Sequence, residues 1–169
     1  MSHPPPQADF RIEPATERDV PVILHMIKAL ADYERLSHKV VATEDKLRMS
    51  LFGPHPVAEV VIAYAGEEPA GFAVFFPNYS TFLAQPGLYL EDLFVEPRWR
   101  GRGLGRKLLA YVAGVAAARA CGRLEWSVLD WNEPAIRFYR RLGAEPVQDW
   151  SIFRLTGDGL RLLAEKDEG

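Results

Sequence analysis

The stretch that most constrains this chain is Leu88–Leu109, LYLEDLFVEPRWRGRGLGRKLL, which passes from an apolar run through a basic, glycine-rich turn into a helical pattern. Leu88, Leu90, Leu93, Phe94 and Val95 predict a buried strand, and Glu96-Pro97 stops it. Glu91 and Asp92 interrupt the run. Adjacent strand residues point to opposite faces, so at least one of these carboxylates faces an interior or a cleft. Burying a carboxylate without a partner is costly, so either a hydrogen-bonded structural role or a functional role is required.

Arg100-Gly101-Arg102-Gly103-Leu104-Gly105 follows. Glycines at alternate positions let the backbone turn tightly, with several amide N–H groups pointing one way. The helix expected from Leu104 adds its positive end, and Arg100, Arg102, Arg106 and Lys107 add charge, so a phosphate or pyrophosphate is the natural guest. A Walker loop is excluded, because Gly105 is followed by Arg106-Lys107-Leu108. The dinucleotide fingerprint is excluded too, because its third glycine falls on Arg106. What remains is Arg/Gln-x-x-Gly-x-Gly/Ala, met by Arg100, Gly103 and Gly105 at the end of a strand. The bland alternative is a connection that exposes solvated arginines.

At 169 residues, with 48% hydrophobic and 25% charged residues, the chain suits one domain with a sizeable core. A net charge of -3 argues against a non-specific nucleic-acid binder, so the arginine cluster reads as a local site feature. The single cysteine, Cys121, excludes an internal disulfide and reads as a packing residue. No Cys/His spacing suggests a metal site. Residues 1–9, with three successive prolines, read as a disordered tail before a single domain over 10–166. The longest apolar stretch, Leu108–Ala118, falls short of the roughly 18 residues a membrane span needs. The expectation is a cytoplasmic protein with no membrane partner.

In chain order, Phe10–Glu13 predicts a short strand, and Thr16 with Asp19 resembles a capping box for a helix over roughly Arg18–Arg35. Its buried stripe is Val20, Ile23, Leu24, Ile27, Leu30 and Ala31. Tyr33 and Glu34 end it, His25 lies beside the stripe, and Thr43 caps a second helix that stops at Gly53-Pro54. Val57–Tyr64 and Ala70–Phe76 read as a hairpin, with a loop over Pro77–Gly87 before the central strand. The helix after the glycine turn buries Leu104, Leu108, Tyr111, Val112 and Val115. Leu124–Leu129 alternates as a strand, with Glu125 and Ser127 on one face and Trp126 on the other. Asn132 caps a short helix with Pro134 in its first turn and Gly143 after it. Ala135 and Phe138 share a face of that helix, with Tyr139 beside it. Val147–Leu155 is expected to be a last strand and Gly159–Lys166 a terminal helix.

This order, β-α-α-β-β-β-α-β-α-β with the anion loop after the fourth strand, resembles the GCN5-related N-acetyltransferase (GNAT) family. The segments RIEPAT, KALADYE, FGPHP, LYLEDLFV, RGRGLG and VLDWNEPAIRFYRRLGA are most similar to its spermidine/spermine and thialysine N-acetyltransferase branch. The resemblance implies an α/β fold with a mixed central sheet flanked by helices, acetyl-CoA as cofactor, a small amine as substrate and a homodimer. It implies that Leu93, Phe94 and Val95 pair with the pantetheine arm, that the motif opening at Arg100 and running through Gly101, Arg102, Gly103, Leu104, Gly105 and Arg106 holds the pyrophosphate, and that Asn132, Pro134 and Ala135 line the cofactor. Tyr139 falls on the family's general acid and Glu91 on the acidic residue that deprotonates the amine. Tyr33, Glu34, Asp92, Glu125, Trp126 and Ser127 fall on substrate-lining segments. Direct attack in a ternary complex follows, since Cys121 at a helix end is poorly suited to carry an acyl group. The basic run after Tyr33-Glu34, with Arg35, His38 and Lys39, disfavours a long polycation, while Leu36-Ser37 and the Leu129-Asp130-Trp131-Asn132 turn resemble the thialysine-acetylating relatives, which implies a small diamine or diamino acid. A polyamine, a protein lysine or N-terminus, and a non-catalytic acyl-CoA sensor remain open alternatives.

Overall fold

The computed structural model describes residues 9–165, and these divide into two compact units between Leu129 and Asp130. The first holds a five-stranded mixed sheet, β1 (Phe10–Pro14), β2 (Glu59–Ala65), β3 (Glu68–Ser80), β4 (Gln85–Val95) and β5 (Leu124–Trp126), in that spatial order. The first three pairings are antiparallel and β4–β5 is parallel. A parallel neighbour requires a crossover, and α3 (Leu104–Ala118) supplies it.

One face of the sheet is covered by α1 (Val20–Tyr33) and α2 (Glu44–Phe52). Ile23, Met26 and Leu30 of α1 pack on Val60, Ile62, Phe72, Val74 and Phe94, with Leu47, Leu51 and Phe52 of α2 at the edge. Met26 belongs to this buried stripe, whereas Leu24 is only half-buried. The Thr16–Asp19 cap forms, its backbone N–H donating to Asp19 Oδ2 at 2.7 Å, but it opens a 3-10 turn over Glu17–Asp19 from which α1 continues. α3 covers the opposite face, burying Leu104, Leu108, Leu109, Val112 and Ala116. A Cβ on Gly71 of β3 would stand 2.7 Å from Phe94 O and 3.2 Å from Leu108 Cδ1. Close helix–sheet contact thus needs glycine there.

Three expectations change. The loop foreseen over Pro77–Gly87 is mostly strand: Pro77 pairs with Leu88 and Ser80 with Gln85, leaving a four-residue turn, Thr81–Ala84. The prolines and Gly87 suppress a strand signal that cross-strand pairing restores. The last strand foreseen over Val147–Leu155 does not form. Asp149 sits at φ +65°, which breaks an extended backbone, and Trp150, Ile152 and Phe153 are exposed. A lone segment with no ladder partner has nothing to hold it extended. The strand foreseen over Leu124–Leu129 likewise ends at Trp126.

The second unit contains α4 (Glu133–Arg141) and α5 (Asp158–Glu165). Asn132 caps α4, its Oδ1 accepting from Ala135 N at 3.4 Å. Gly143 at φ +87° ends it, as Ala144 N–H returns to Tyr139 O at 3.2 Å. The tail expected over residues 1–9 lies outside the described residues except for Asp9, as does Lys166.

Two glycine replacements separate packing from propensity. Gly71→Ala is expected to destabilise by about 1–3 kcal/mol, because Phe94 O and Leu108 must both give way. Gly114→Ala, on the exposed side of α3 with nothing within 4 Å of the new Cβ, is expected to stabilise by up to about 1 kcal/mol. Urea unfolding of both variants against the parent checks the opposite signs.

Candidate active site

The site begins with a register shift. Val74 pairs with Asp92, yet the next residue, Phe75, pairs with Leu90, so Glu91 has no partner on β3 and forms a β-bulge. A one-residue slip exchanges the faces of a strand. Before the bulge, Leu88 and Leu90 share the face of Phe75. After it, Asp92 and Phe94 share the face of Val74 and Phe72, on which α1 packs. The bulge therefore delivers Asp92 to α1's side, where its core-facing neighbours are apolar.

There it meets the C-terminal end of α1. Tyr33 is the last helical residue and Glu34 the cap. Arg35 follows at φ +61°, and Leu36 N–H bonds Ala31 O at 2.7 Å, closing the helix with an arginine where glycine is usual. Burial, and after it the negative charges of Glu91 and Glu34, together raise the Asp92 pKa from 3.8 to about 7. Burial also raises Glu34. The charges of three carboxylates from two elements thus bear on one another, an arrangement suited to an ammonium group.

The bulge also changes which backbone groups face outward. Leu88 N–H donates to Arg123 O beside β5 at 3.1 Å, while Glu96 N–H donates to Ala70 O of β3 at 2.9 Å. Even-numbered residues therefore bond toward β5 before Glu91 and toward β3 after it. Leu93 and Val95 turn their backbone groups to the side of β5, which pairs only as far as Leu90. An extended ligand can add there as a strand would. Val95 O already accepts from Arg100 Nε at 2.8 Å.

Beyond β4, Pro97–Trp99 makes a 3-10 turn, Gly101 and Gly103 adopt φ +75° and +80°, and Gly103 caps α3. Cβ atoms at both glycines would meet nothing within 4 Å, so positive φ, not crowding, demands glycine. The conformation aims successive N–H groups outward at the positive end of a 15-residue helix, with Arg102, Arg106 and Lys107 exposed around it. Arg102 lies over the Trp99 ring, 4.9 Å from its centroid, and Trp99 stands edge-on to Phe10 at 5.9 Å. Trp99 was not among the residues picked out by the motif. An aromatic residue wedged between Arg98 and Arg100-Gly101-Arg102 was the available signal.

The remaining site residues separate. Glu125 of β5 is held by Arg123 at 2.5 Å and by Asn78 Nδ2 at 3.4 Å, opposite Tyr89 rather than Glu91. Ser127 Oγ and Tyr89 OH share a hydrogen bond of 2.5 Å. Trp126, half-buried, ends β5 opposite Leu90. In the second unit, Pro134 and Ala135 form the first turn of α4, and Asn132 at its cap is buried. Tyr139 lies half-buried two turns on, its ring 5.3 Å from that of Phe138.

Asp92 carries a measurable signature. Its raised pKa means the folded chain holds more protons than the unfolded one between 3.8 and about 7. Its contribution to stability is therefore full below the lower value and lost as pH rises through the upper one, by at most roughly 4 kcal/mol. Asp92→Asn should match the parent near pH 4 and exceed it in urea stability by a gap that widens to pH 8. Parallel stability–pH curves for the two proteins would contradict this.

Known proteins are similar to this chain. The model of the Acetyltransferase (GNAT) family matches residues 24–144. The chain is 38% identical to the thialysine N-epsilon-acetyltransferase of Mus musculus, covering 93% of this chain and 98% of that protein. It is 35% identical to the L-ornithine N5-acetyltransferase NATA1 of Arabidopsis thaliana, covering 90% and 87%. Among solved structures, an integron cassette protein from the mobile metagenome of V. cholerae superposes with a TM-score of 0.77 at 26% identity, over 92% and 98% of the two chains. These matches show that the chain belongs to the GNAT acetyltransferase family and is an acetyl-transferring enzyme.

Proposed function

We propose that this enzyme transfers the acetyl group of acetyl-CoA to a primary amine of a small diamine or diamino acid, by direct attack in a ternary complex. The observation that carries this reading is the convergence of Glu34, Glu91 and Asp92, with Asp92 pushed up to about 7.

An alkylamine with a pKa near ~10.4 arrives protonated, so it must lose a proton before it can attack. Passing that proton to an ordinary carboxylate near ~4.3 is uphill by roughly 6 units, or roughly 8 kcal/mol. A carboxylate raised to about 7 reduces the difference to roughly 3.4 units, or roughly 5 kcal/mol. Burial that weakens the ammonium lowers it again. Glu91 relays the proton, directly or through water, to Asp92, whose raised pKa suits it to receive it, and Glu34 with Tyr33 holds the amine at the end of α1. Tyr139 serves as general acid toward the departing sulfur. When bound, acetyl-CoA supplies the activated thioester.

The residues present fit that cofactor. Gly101 and Gly103 open space above the amides at the start of α3, and Arg102, Arg106 and Lys107 offer charge to its phosphates. The outward backbone of Leu93 and Val95 suits an amide-bearing arm. Arg35, His38 and Lys39 next to the amine pocket disfavour a long polycation and complement a carboxylate, which supports a diamino acid over a polyamine. The names of the two similar acetyltransferases, for thialysine and L-ornithine, point the same way. A homodimer in a reducing compartment is the setting that family resemblance and a single cysteine support.

Acetyl-CoA-dependent thiol release is to be measured on lysine, thialysine, ornithine, putrescine, spermidine, spermine and a lysine peptide. One of the small amines is expected to turn over selectively, with kcat reduced about 10²-fold or more in Tyr139→Phe and in Glu91→Gln. Preferential turnover of the peptide or of spermine would overturn the substrate class. A burst of acetyl-enzyme without amine would overturn direct attack.

A further inference from the structure

Arg100 opens the anion-binding motif, but its guanidinium is engaged elsewhere. The carbon of that group lies 4.9 Å from the centroid of the Tyr33 ring and 5.4 Å from that of Phe94, while Nε donates to Val95 O at 2.8 Å. One side chain therefore joins three things: the first residue of the glycine turn, the end of the open strand edge, and the last residue of α1. We propose that Arg100 is a positioning residue that couples occupancy of the cofactor loop to the shape of the amine pocket. This inference rests on the acetyl-transfer reading of the site.

Three physical features carry it. Arginine's planar, weakly hydrated fork can stack on aromatic faces while still donating along its edge, which lysine's compact ammonium cannot do. The bond to Val95 O removes the last outward carbonyl of β4 from a ligand's reach, so it fixes where an added extended arm must stop. The contact with Tyr33 bears on the residue before Glu34, whose charge acts on Asp92. Gly101 beside Arg100 stands at φ +75°, so an anion that orders the turn constrains the backbone from which this side chain springs. The loop and the carboxylate cluster then bias one another, and such coupling must be reciprocal in binding.

Coenzyme A titration calorimetry, amide hydrogen exchange and steady-state kinetics on the full chain test this with Arg100→Met, Arg100→Lys, Tyr33→Leu and the Arg100→Met/Tyr33→Leu double variant. In the parent, coenzyme A is expected to protect the amides of residues 30–36. Arg100→Met should lose that protection while coenzyme A affinity falls less than about threefold. Its KM for the amine should rise about tenfold with kcat within about threefold, Tyr33→Leu should reproduce the rise, and the double variant should add little. Arg100→Lys, which keeps the charge without the fork, should resemble Arg100→Met in protection and amine KM.

A fall of tenfold or more in coenzyme A affinity with the amine KM unchanged would make Arg100 a phosphate ligand and overturn the coupling. Retained protection in Arg100→Met, or fully additive KM effects, would overturn it equally. Should Arg100→Met fail to fold, the same readings on Arg100→Lys decide. Should the parent acetylate no amine, the substrate reading fails while the exchange experiment still decides this one.

Discussion

The site depends on one missing backbone partnership, that of Glu91. A β-strand without a bulge keeps a fixed set of side chains on each face, and here that would have left Asp92 with Leu88 and Leu90 on the side of α3. The slip between Val74–Asp92 and Phe75–Leu90 moves Asp92 to the face shared with α1. The same slip turns the amides and carbonyls of Leu93 and Val95 outward, beyond the point where β5 stops pairing. Acid cluster and open strand edge are thus two consequences of one extra residue, and neither can be removed without the other.

The arrangement is held against an electrostatic cost. Asp92 stays partly protonated near neutrality because burial and two neighbouring carboxylates oppose its ionisation. Such sites persist when the surrounding packing over-determines them. Phe72, Val74 and Phe94 hold β3 and β4 together beneath α1, and Gly71 brings α3 against the other face. Fully burying a phenylalanine such as Phe72 contributes about 1.5–3 kcal/mol, so two or three such residues offset one displaced carboxylate titration.

The glycine turn shows a different economy. Gly101 and Gly103 are demanded by backbone angle, with open space around both, whereas Gly71 is demanded by contact. The turn's arginines also divide. Arg102 rests on Trp99 at the mouth of the loop, and Arg100 is drawn back between Tyr33 and Phe94. Charge at the loop and contacts at the end of α1 thus come from neighbouring residues of one short segment.

Much of this was legible in the chain. The apolar run broken by Glu91-Asp92, the alternate glycines after it, the Thr16 and Asn132 caps and the stripe of α1 follow from local periodicity and turn chemistry, and the resemblance to acetyltransferases rested on those segments. The cooperative features were not. Strand pairing overrode Pro77 and Gly87 to lengthen β3 and β4, Asp149 and the lack of a ladder partner among the described residues dissolved the expected strand over Val147–Leu155, and Glu125 pairs with Arg123. Sequence determined that a carboxylate pair would sit beside a basic glycine turn, because residue order is local. Only tertiary structure decided which carboxylate turned toward α1, which carbonyls stayed open and where Arg100 pointed, because register and ring contacts depend on residues distant in the chain.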